Sequence, residues 1–241
     1  MIFSCLLFNT ISGNFYKNTD FISFRTRDKL VNLPRFLLIK KNTDVEKMII
    51  ASQKRKENIA EYLLYMWQIE DIIRANRLDL DQIGRNVISR FPGLDENSLK
   101  QMSEWYESLI DMMRREEVTE KGHLQMNVNI IGQLAQLNNQ ILADPRPRFD
   151  AYRAEFYRTL PYIVELRGKA GENKAGEIET CFNALYGVLL LRLQHKEISP
   201  DTLTAITQIS KFTALLAKCF HLDEDDRLFS DEETENKQPQ E

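Results

Sequence analysis

The chain has 241 residues, of which 43% are hydrophobic and 28% charged, a composition typical of a globular protein with enough apolar residues for a sizeable core. Its net charge of −4 is uneven: residues 1–47 carry eight Lys or Arg and four Asp or Glu, whereas residues 223–241 carry two and nine. The nearly neutral body between them lacks the basic surface that nucleic-acid binding requires. Nucleic acid is therefore not expected as a partner.

The three cysteines, Cys5, Cys181 and Cys219, are widely spaced and odd in number. This argues against a disulfide framework and favours a reducing cytoplasm. Cys181 and Cys219 lie in apolar helical sequence, where a cysteine behaves as a small hydrophobic residue. The apolar run at the N-terminus is too short to span a bilayer, so no membrane span is predicted.

The first 47 residues differ from the rest of the chain. They hold six of the thirteen Phe and show no sustained helical period, whereas strong helix formers begin at Met48. We therefore predict that Met48 is the natural start and that residues 1–47 come from an upstream start assignment. The alternative is a poorly ordered basic leader that touches a membrane surface or an acidic partner.

Placing successive residues 100° apart divides the body into helices. In chain order they cover about residues 52–77, 78–91, 95–115, 120–143, 149–168, 177–196 and 199–220. Pro92-Gly93 should stop the second helix and Pro161 should kink or split the fifth. Asp95 marks the start of the third helix, and Ser199 followed by Pro200 gives the seventh the clearest start. The sixth is apolar nearly all round and is predicted to be central.

The chain is therefore predicted to be all-α. We expect a single bundle of six or seven helices over residues 48–222, preceded by an irregular extension and followed by a disordered acidic tail over residues 223–241. The tail either keeps the protein soluble or recruits a basic partner.

Two charged residues lie inside the apolar arc of the first helix. Glu70 and Arg74 are four residues apart, the spacing at which a carboxylate and a guanidinium can pair. Asp71 and Glu61 project away and are predicted to be peripheral. The structural interpretation is a buried ion pair that fixes how the helices pack. The functional interpretation is an anion or small-ligand pocket, lined by Glu70, Arg74, Arg167, Tyr65, Trp67 and Tyr106.

Residues 120–123, Glu-Lys-Gly-His, have the Glu-x-x-His spacing of di-iron carboxylate bundles, in which two such pairs converge. Neither His195 nor His221 repeats the pattern, so His123 is interpreted as a capping or surface residue. No metal site, cofactor or catalytic residue is predicted.

Four segments carry a family resemblance: "KENIAEYLLYMWQIEDIIRA", "WYESLIDMMRREEVTEKGHLQ", "YRTLPYIVELRGKAG" and "ETCFNALYGVLLLRLQHKEIS". Together they resemble domain-of-unknown-function family 4924, a family of bacterial proteins, over about residues 48–220. The resemblance implies a small cytoplasmic helical protein that begins at the position of Met48. It implies no activity and transfers no site residue.

The leading prediction is a cytoplasmic, non-enzymatic helical bundle that works through protein contacts, with a second copy or another protein as the partner. The first helix is the predicted contact surface, because Tyr65, Ile69 and Ile72 extend its apolar arc beyond what one neighbour would bury. The alternative is a small-molecule-binding or enzymatic bundle with its pocket around Glu70, Arg74 and Arg167.

Overall fold

A computed structural model describes residue 51 and residues 54–90, 95–169 and 175–230. All regular structure in those ranges is helical, which confirms the all-α prediction. The α-helices are α1 (Ile59–Ala75), α2 (Leu80–Asn86), α3 (Glu96–Arg115), α4 (Gln125–Ala143), α5 (Asp150–Lys169), α6 (Glu177–Leu193) and α7 (Pro200–Glu224). Two short 3-10 helices, Ile88–Arg90 and Pro147–Phe149, lie between α2 and α3 and before α5. The predictions for residues 1–47, for Pro92-Gly93 and for the tail beyond residue 230 lie outside the described residues.

The predicted helix starts at Asp95 and Ser199 are confirmed by their capping hydrogen bonds. The Asp95 carboxylate accepts from the Ser98 N–H at 2.7 Å, and the Ser199 hydroxyl accepts from the Thr202 N–H at 3.3 Å. In α1 the cap is Asn58, whose extended backbone separates the helix from a short helical turn at residues 54–57. The predicted single first helix from residue 52 is thus interrupted at that asparagine.

Four helices end with a residue in the left-handed conformation that is not glycine: Arg77 after α1, Glu117 after α3, His195 after α6 and Asp226 after α7. After α1, the Leu78 N–H donates to the Ile73 carbonyl at 3.0 Å and the Arg77 N–H to the Arg74 carbonyl at 2.9 Å. The other three ends repeat these two bonds, which define the Schellman motif. Local sequence gives little sign of them, because glycine is the usual residue at that position.

α1 is the most enclosed helix of the bundle. It packs against α3, α4, α6 and α7, and eleven of its 17 residues are buried, compared with eight of 17 in α6. α6 also packs against four helices, α1, α4, α5 and α7, as expected for a helix predicted to be central. The predicted contact surface on α1 is wrong, because Tyr65 and Ile69 are buried by the neighbouring helices of the same chain.

α5 and α7 pack side by side in opposite directions. The Phe212 ring lies 5.8 Å from that of Tyr152 and 5.5 Å from that of Phe156, whereas Gln208, earlier in α7, bonds to Thr159, later in α5. α5 continues unbroken through Pro161, so the proline does not split the helix.

The packed chain extends past residue 222, where the acidic tail was predicted to begin. α7 runs to Glu224, Leu228 is buried, and the Phe229 ring lies 5.5 Å from that of Phe149. Residues 223–230 therefore belong to the bundle. Within the described ranges, no helix is both long and apolar enough to cross a membrane.

Candidate functional site

The fully buried carboxylate of Glu70 lies at the start of α4. Its Oε1 accepts from the Leu124 N–H at 3.0 Å and from the Asn127 side-chain amide at 2.7 Å. α4 has no side-chain cap of its own, because its N-cap residue is Leu124. Glu70 supplies that cap from α1, where its negative charge also meets the positive end of the α4 dipole. A buried carboxylate is thereby satisfied without a cationic side chain from its own helix.

A second carboxylate completes the same helix start. Glu116, which follows α3, accepts from the Gln125 N–H through Oε2 at 2.6 Å. The first residue of the connection over residues 116–124 is therefore hydrogen-bonded to the first residue of α4. α4 begins at Gln125 rather than at the predicted Glu120.

His123 contacts Glu70 from the same connection. Its Nδ1 lies 2.6 Å from Glu70 Oε2, and its ring stacks on Trp67 with centroids 4.1 Å apart and planes 13° apart. An ionised carboxylate can only accept a hydrogen bond, so Nδ1 carries a proton whenever Glu70 is charged. The side chain is 24% exposed. Such a carboxylate–imidazole pair can orient a histidine for proton transfer or for ligation.

Arg74 fastens the connection to α1. Its Nη2 donates to the Val118 carbonyl at 3.0 Å and to the Gly122 carbonyl at 2.5 Å, while Nη1 pairs with Asp71 at 2.9 Å. The Gly122 backbone, with φ +85°, adopts a conformation that favours glycine. Asp71 also accepts from the Tyr186 hydroxyl at 2.6 Å, which links this network to α6.

The structure gives Glu70 and Arg74 different partners instead of the predicted pair. Glu70 binds the start of α4 and His123, whereas Arg74 binds Asp71 and two carbonyls. Asp71, predicted to be peripheral, is central to the second network. His123, interpreted as a capping or surface residue, lies against the buried Glu70. Only Glu61 projects outward as expected, and it pairs with Lys54 at 2.9 Å.

The other predicted site residues are dispersed. Arg167 pairs with Glu177 at 3.8 Å, and no hydrogen bond or ion pair among the described residues joins it to Glu70 or Arg74. Trp67, Tyr65 and Tyr106 are buried, and the Trp67 indole N–H and the two tyrosine hydroxyls have no hydrogen-bond partner within the described ranges. No hydrogen bond or ion pair among the described residues therefore joins the six residues into one cluster.

Two surface grooves lie elsewhere, beside residues 54–58 and α7. They measure about 280 and 300 Å³. The first is lined by residues that include Asn58, Lys218 and His221, and the second by residues that include Arg55 and Gln136. None of the six predicted site residues lines either groove.

The described ranges contain no group of three or more His, Cys, Asp or Glu side chains that could hold a metal ion. Cys181 and Cys219 are buried, and this burial raises the pKa of both thiols, that of Cys219 to about 11. Neither is a thiolate near neutral pH, so neither is prepared for nucleophilic attack.

Sequence reasoning missed the Glu70–His123 contact, since the two residues are 53 positions apart. One signal was available: the residue before α4 is Leu124, whose side chain cannot accept a hydrogen bond, and a buried glutamate elsewhere can supply the missing acceptor.

No curated protein and no solved structure matches the chain. The family model of DUF4924, a domain of unknown function, matches residues 48–227. This range includes every residue of α1 to α7 and ends within the packed segment after α7. On that match, the chain belongs to the DUF4924 family.

Proposed function

We propose that the protein is a cytoplasmic, non-enzymatic helical bundle that works through protein–protein contacts. The observation that carries the proposal is an apolar strip on the outside of α5. Tyr157 and Val164 are each 58% exposed and, with the exposed Pro161 between them, follow the i, i+4, i+7 spacing of one helix face. We call these three residues the α5 outer face.

The α5 outer face points away from the core. The buried residues of the same helix, among them Phe156 and Ile163, lie on the opposite side. Burial within the chain therefore does not account for an aromatic ring and a branched aliphatic side chain at these positions. An apolar strip with polar residues beside it is typical of a surface that another protein covers.

The charges beside the strip favour a second copy of this chain as the partner. Arg158 and Glu165 lie on one flank, three residues before and four residues after Pro161. Their side chains are 64% and 62% exposed, and each also pairs within its own helix, with Glu155 and Lys169 respectively. In an antiparallel pair of α5 helices centred near Pro161, Arg158 of one copy faces Glu165 of the other on that flank. The surface is thus self-complementary, as a two-fold interface requires.

Sedimentation of the full chain over a wide range of concentration tests the proposal. We expect a monomer–dimer equilibrium that the double substitution Tyr157→Glu and Val164→Glu abolishes. Leu203→Glu is the matched control, because Leu203 is an exposed apolar residue on α7. A strict monomer at every concentration, or equal loss in the control, would overturn the choice of partner.

A charge exchange tests the geometry. Arg158→Glu alone and Glu165→Arg alone should each weaken dimerisation, since each brings like charges together. The two substitutions in one chain should restore it. If the combined variant is weaker than either single variant, the antiparallel arrangement is wrong.

A second candidate function is binding of an anion or small molecule, enzymatic or not, with Glu70, Arg74 and Arg167 around the pocket. Its support is that the Nε atoms of Arg74 and Arg167 are buried without a hydrogen-bond partner among the described residues. A thermal-shift screen with anionic metabolites and metals tests it. Stabilisation that is lost in both Arg74→Met and Arg167→Met would favour this function over the first.

A further inference from the structure

The three histidines of the chain differ in two properties that govern nucleophilic reactivity: a carboxylate at Nδ1 and an accessible Nε2. His123 has both, since Nδ1 lies 2.6 Å from Glu70 Oε2 and Nε2 is neither buried nor hydrogen-bonded within the described ranges. His221 has a carboxylate, that of Glu224 at 3.2 Å, but its Nε2 is buried. His195 is exposed, and its ring has no carboxylate partner in the part of the chain that the structure describes.

Glu70 fixes which nitrogen of His123 carries the proton. An ionised Glu70 accepts from Nδ1–H, so the lone pair of the neutral ring lies on Nε2. The carboxylate is itself held by the Leu124 N–H and the Asn127 amide, and the imidazole is stacked on Trp67 with planes 13° apart. The ring is therefore fixed at one edge and one face, and its nucleophilic nitrogen is accessible.

The surroundings of His123 favour a transferred group over a metal ion or a bound substrate. Glu120 lies three residues earlier, but the described ranges contain no group of three or more His, Cys, Asp or Glu side chains that could hold a metal ion. His123 also lines neither of the two grooves beside α7. Lys121 is exposed and has no ion pair among the described residues, so a cation for an anionic group is available on the same connection.

We propose that Nε2 of His123 is a phosphoryl acceptor. The Nε2 lone pair attacks the phosphorus of a phosphoryl donor, such as a phosphoramidate or an acyl phosphate. An N–P bond forms, and the donor's own bond to phosphorus breaks, with its electron pair leaving on the donor. The positive charge that this places on the ring is balanced through Nδ1–H by Glu70, which is thus a positioning residue. The site is separate from the α5 outer face.

The three histidines of the full chain test the proposal within one sample. The chain is incubated with phosphoramidate and kept at alkaline pH, because phosphohistidine is labile in acid, and peptide mass spectrometry then gives the rate at each site. We expect phosphorylation of His123 to be about 10–100-fold faster than that of His195, the effect of an orienting carboxylate. His221 should react most slowly, because its Nε2 is buried. A rate at His195 or His221 equal to that at His123, or above it, would overturn the proposal.

Glu70→Gln separates the orientation of the ring from the stability of the fold. The side-chain oxygen can still accept from the start of α4, and the amide then faces Nδ1 as a donor. The ring proton should therefore move to Nε2, and phosphorylation of His123 should fall to about the rate of His195. Long-range 1H–15N NMR spectra of the histidine rings show which nitrogen carries the proton, a signal that loss of stability alone does not change.

Glu116→Gln is the matched control. Glu116 accepts from the Gln125 N–H at the same helix start, and it makes no hydrogen bond with His123 within the described ranges. This variant should keep the proton on Nδ1 and the rate of the unmodified chain. An equal loss of phosphorylation in both variants, or an unchanged rate in Glu70→Gln, would overturn the role of Glu70.

Discussion

α1 and α5 are both amphipathic in sequence, yet the bundle covers them differently. α1 is surrounded by four other helices and holds a carboxylate in its buried surface, whereas α5 leaves the α5 outer face open. The difference teaches that the positions of the neighbouring helices around a helix, and not the width of its apolar arc alone, decide which apolar face is free. On α1 polar groups must find internal partners, and on α5 apolar groups remain available to another molecule.

The largest loss of stability is expected from a substitution in α1, the more buried of the two helices. Glu70→Ala removes the acceptor for Leu124, Asn127 and His123, and should lower the free energy of unfolding by about 3–5 kcal/mol, because each buried donor left without a partner costs about 1–3 kcal/mol. Glu70→Gln keeps one acceptor oxygen and should cost less, about 1.5–3 kcal/mol. Urea denaturation measures both. Glu61→Gln is the exposed control, with an expected change within about 0.5 kcal/mol.

Unchanged stability in Glu70→Gln would show that its three hydrogen bonds contribute little. The buried hydrogen bonds of α1 would then not distinguish it energetically from α5.

Two adjacent residues of α5 allow a buried and an exposed apolar side chain to be compared within one helix. Ile163 is fully buried and Val164 is 58% exposed. Ile163→Ala should cost about 2–5 kcal/mol, because it removes buried methyl groups and leaves a cavity. Val164→Ala should change stability by less than about 0.5 kcal/mol. Thermal or urea unfolding of a dilute sample, in which self-association is minimal, separates the two effects. A large loss in Val164→Ala under those conditions would mean that the strip is covered within the chain.

A smaller effect is expected from Arg74→Met, which preserves the length of the side chain but removes its bonds to Asp71, Val118 and Gly122. The loss should be about 1.5–3 kcal/mol, the range for hydrogen bonds to charged groups. Hydrogen exchange should rise most in residues 116–124. Arg115→Met is the control, since within the described ranges its guanidinium bonds only to a carbonyl of its own helix. An equal increase in hydrogen exchange throughout the bundle would contradict the assignment that Arg74 holds residues 116–124 against α1.

The local sequence pattern predicted helix starts correctly where the capping residue directly precedes the helix. Asp95 and Ser199 cap their own helices, and both starts were predicted from sequence. α4 begins five residues later than expected, and the acceptors at its start, Glu70 and Glu116, come from other parts of the chain. Glu70 is 54 positions from Leu124, so no local window of sequence contains both residues.

The candidate site shows the same limit. The sequence identified Glu70 as a buried charge in need of a partner, and paired it with Arg74 because helical spacing is the only proximity that a sequence provides. The actual partners are brought to it by the packing of the 116–124 connection onto α1. The sequence analysis predicted an exposed apolar face on α1 for a similar reason. The width of an apolar arc indicates how much surface must be buried, but not how many helices will bury it.

The four left-handed helix ends have a consequence for the evolution of the fold. A side chain larger than hydrogen costs about 1–2 kcal/mol in this conformation, and aspartate less. Glycine would remove that cost while adding some entropy to the unfolded chain. Arg77, Glu117, His195 and Asp226 are thus four separate positions at which a single substitution can raise stability. Stability gained at these turns would offset destabilising substitutions acquired elsewhere, such as on a binding surface.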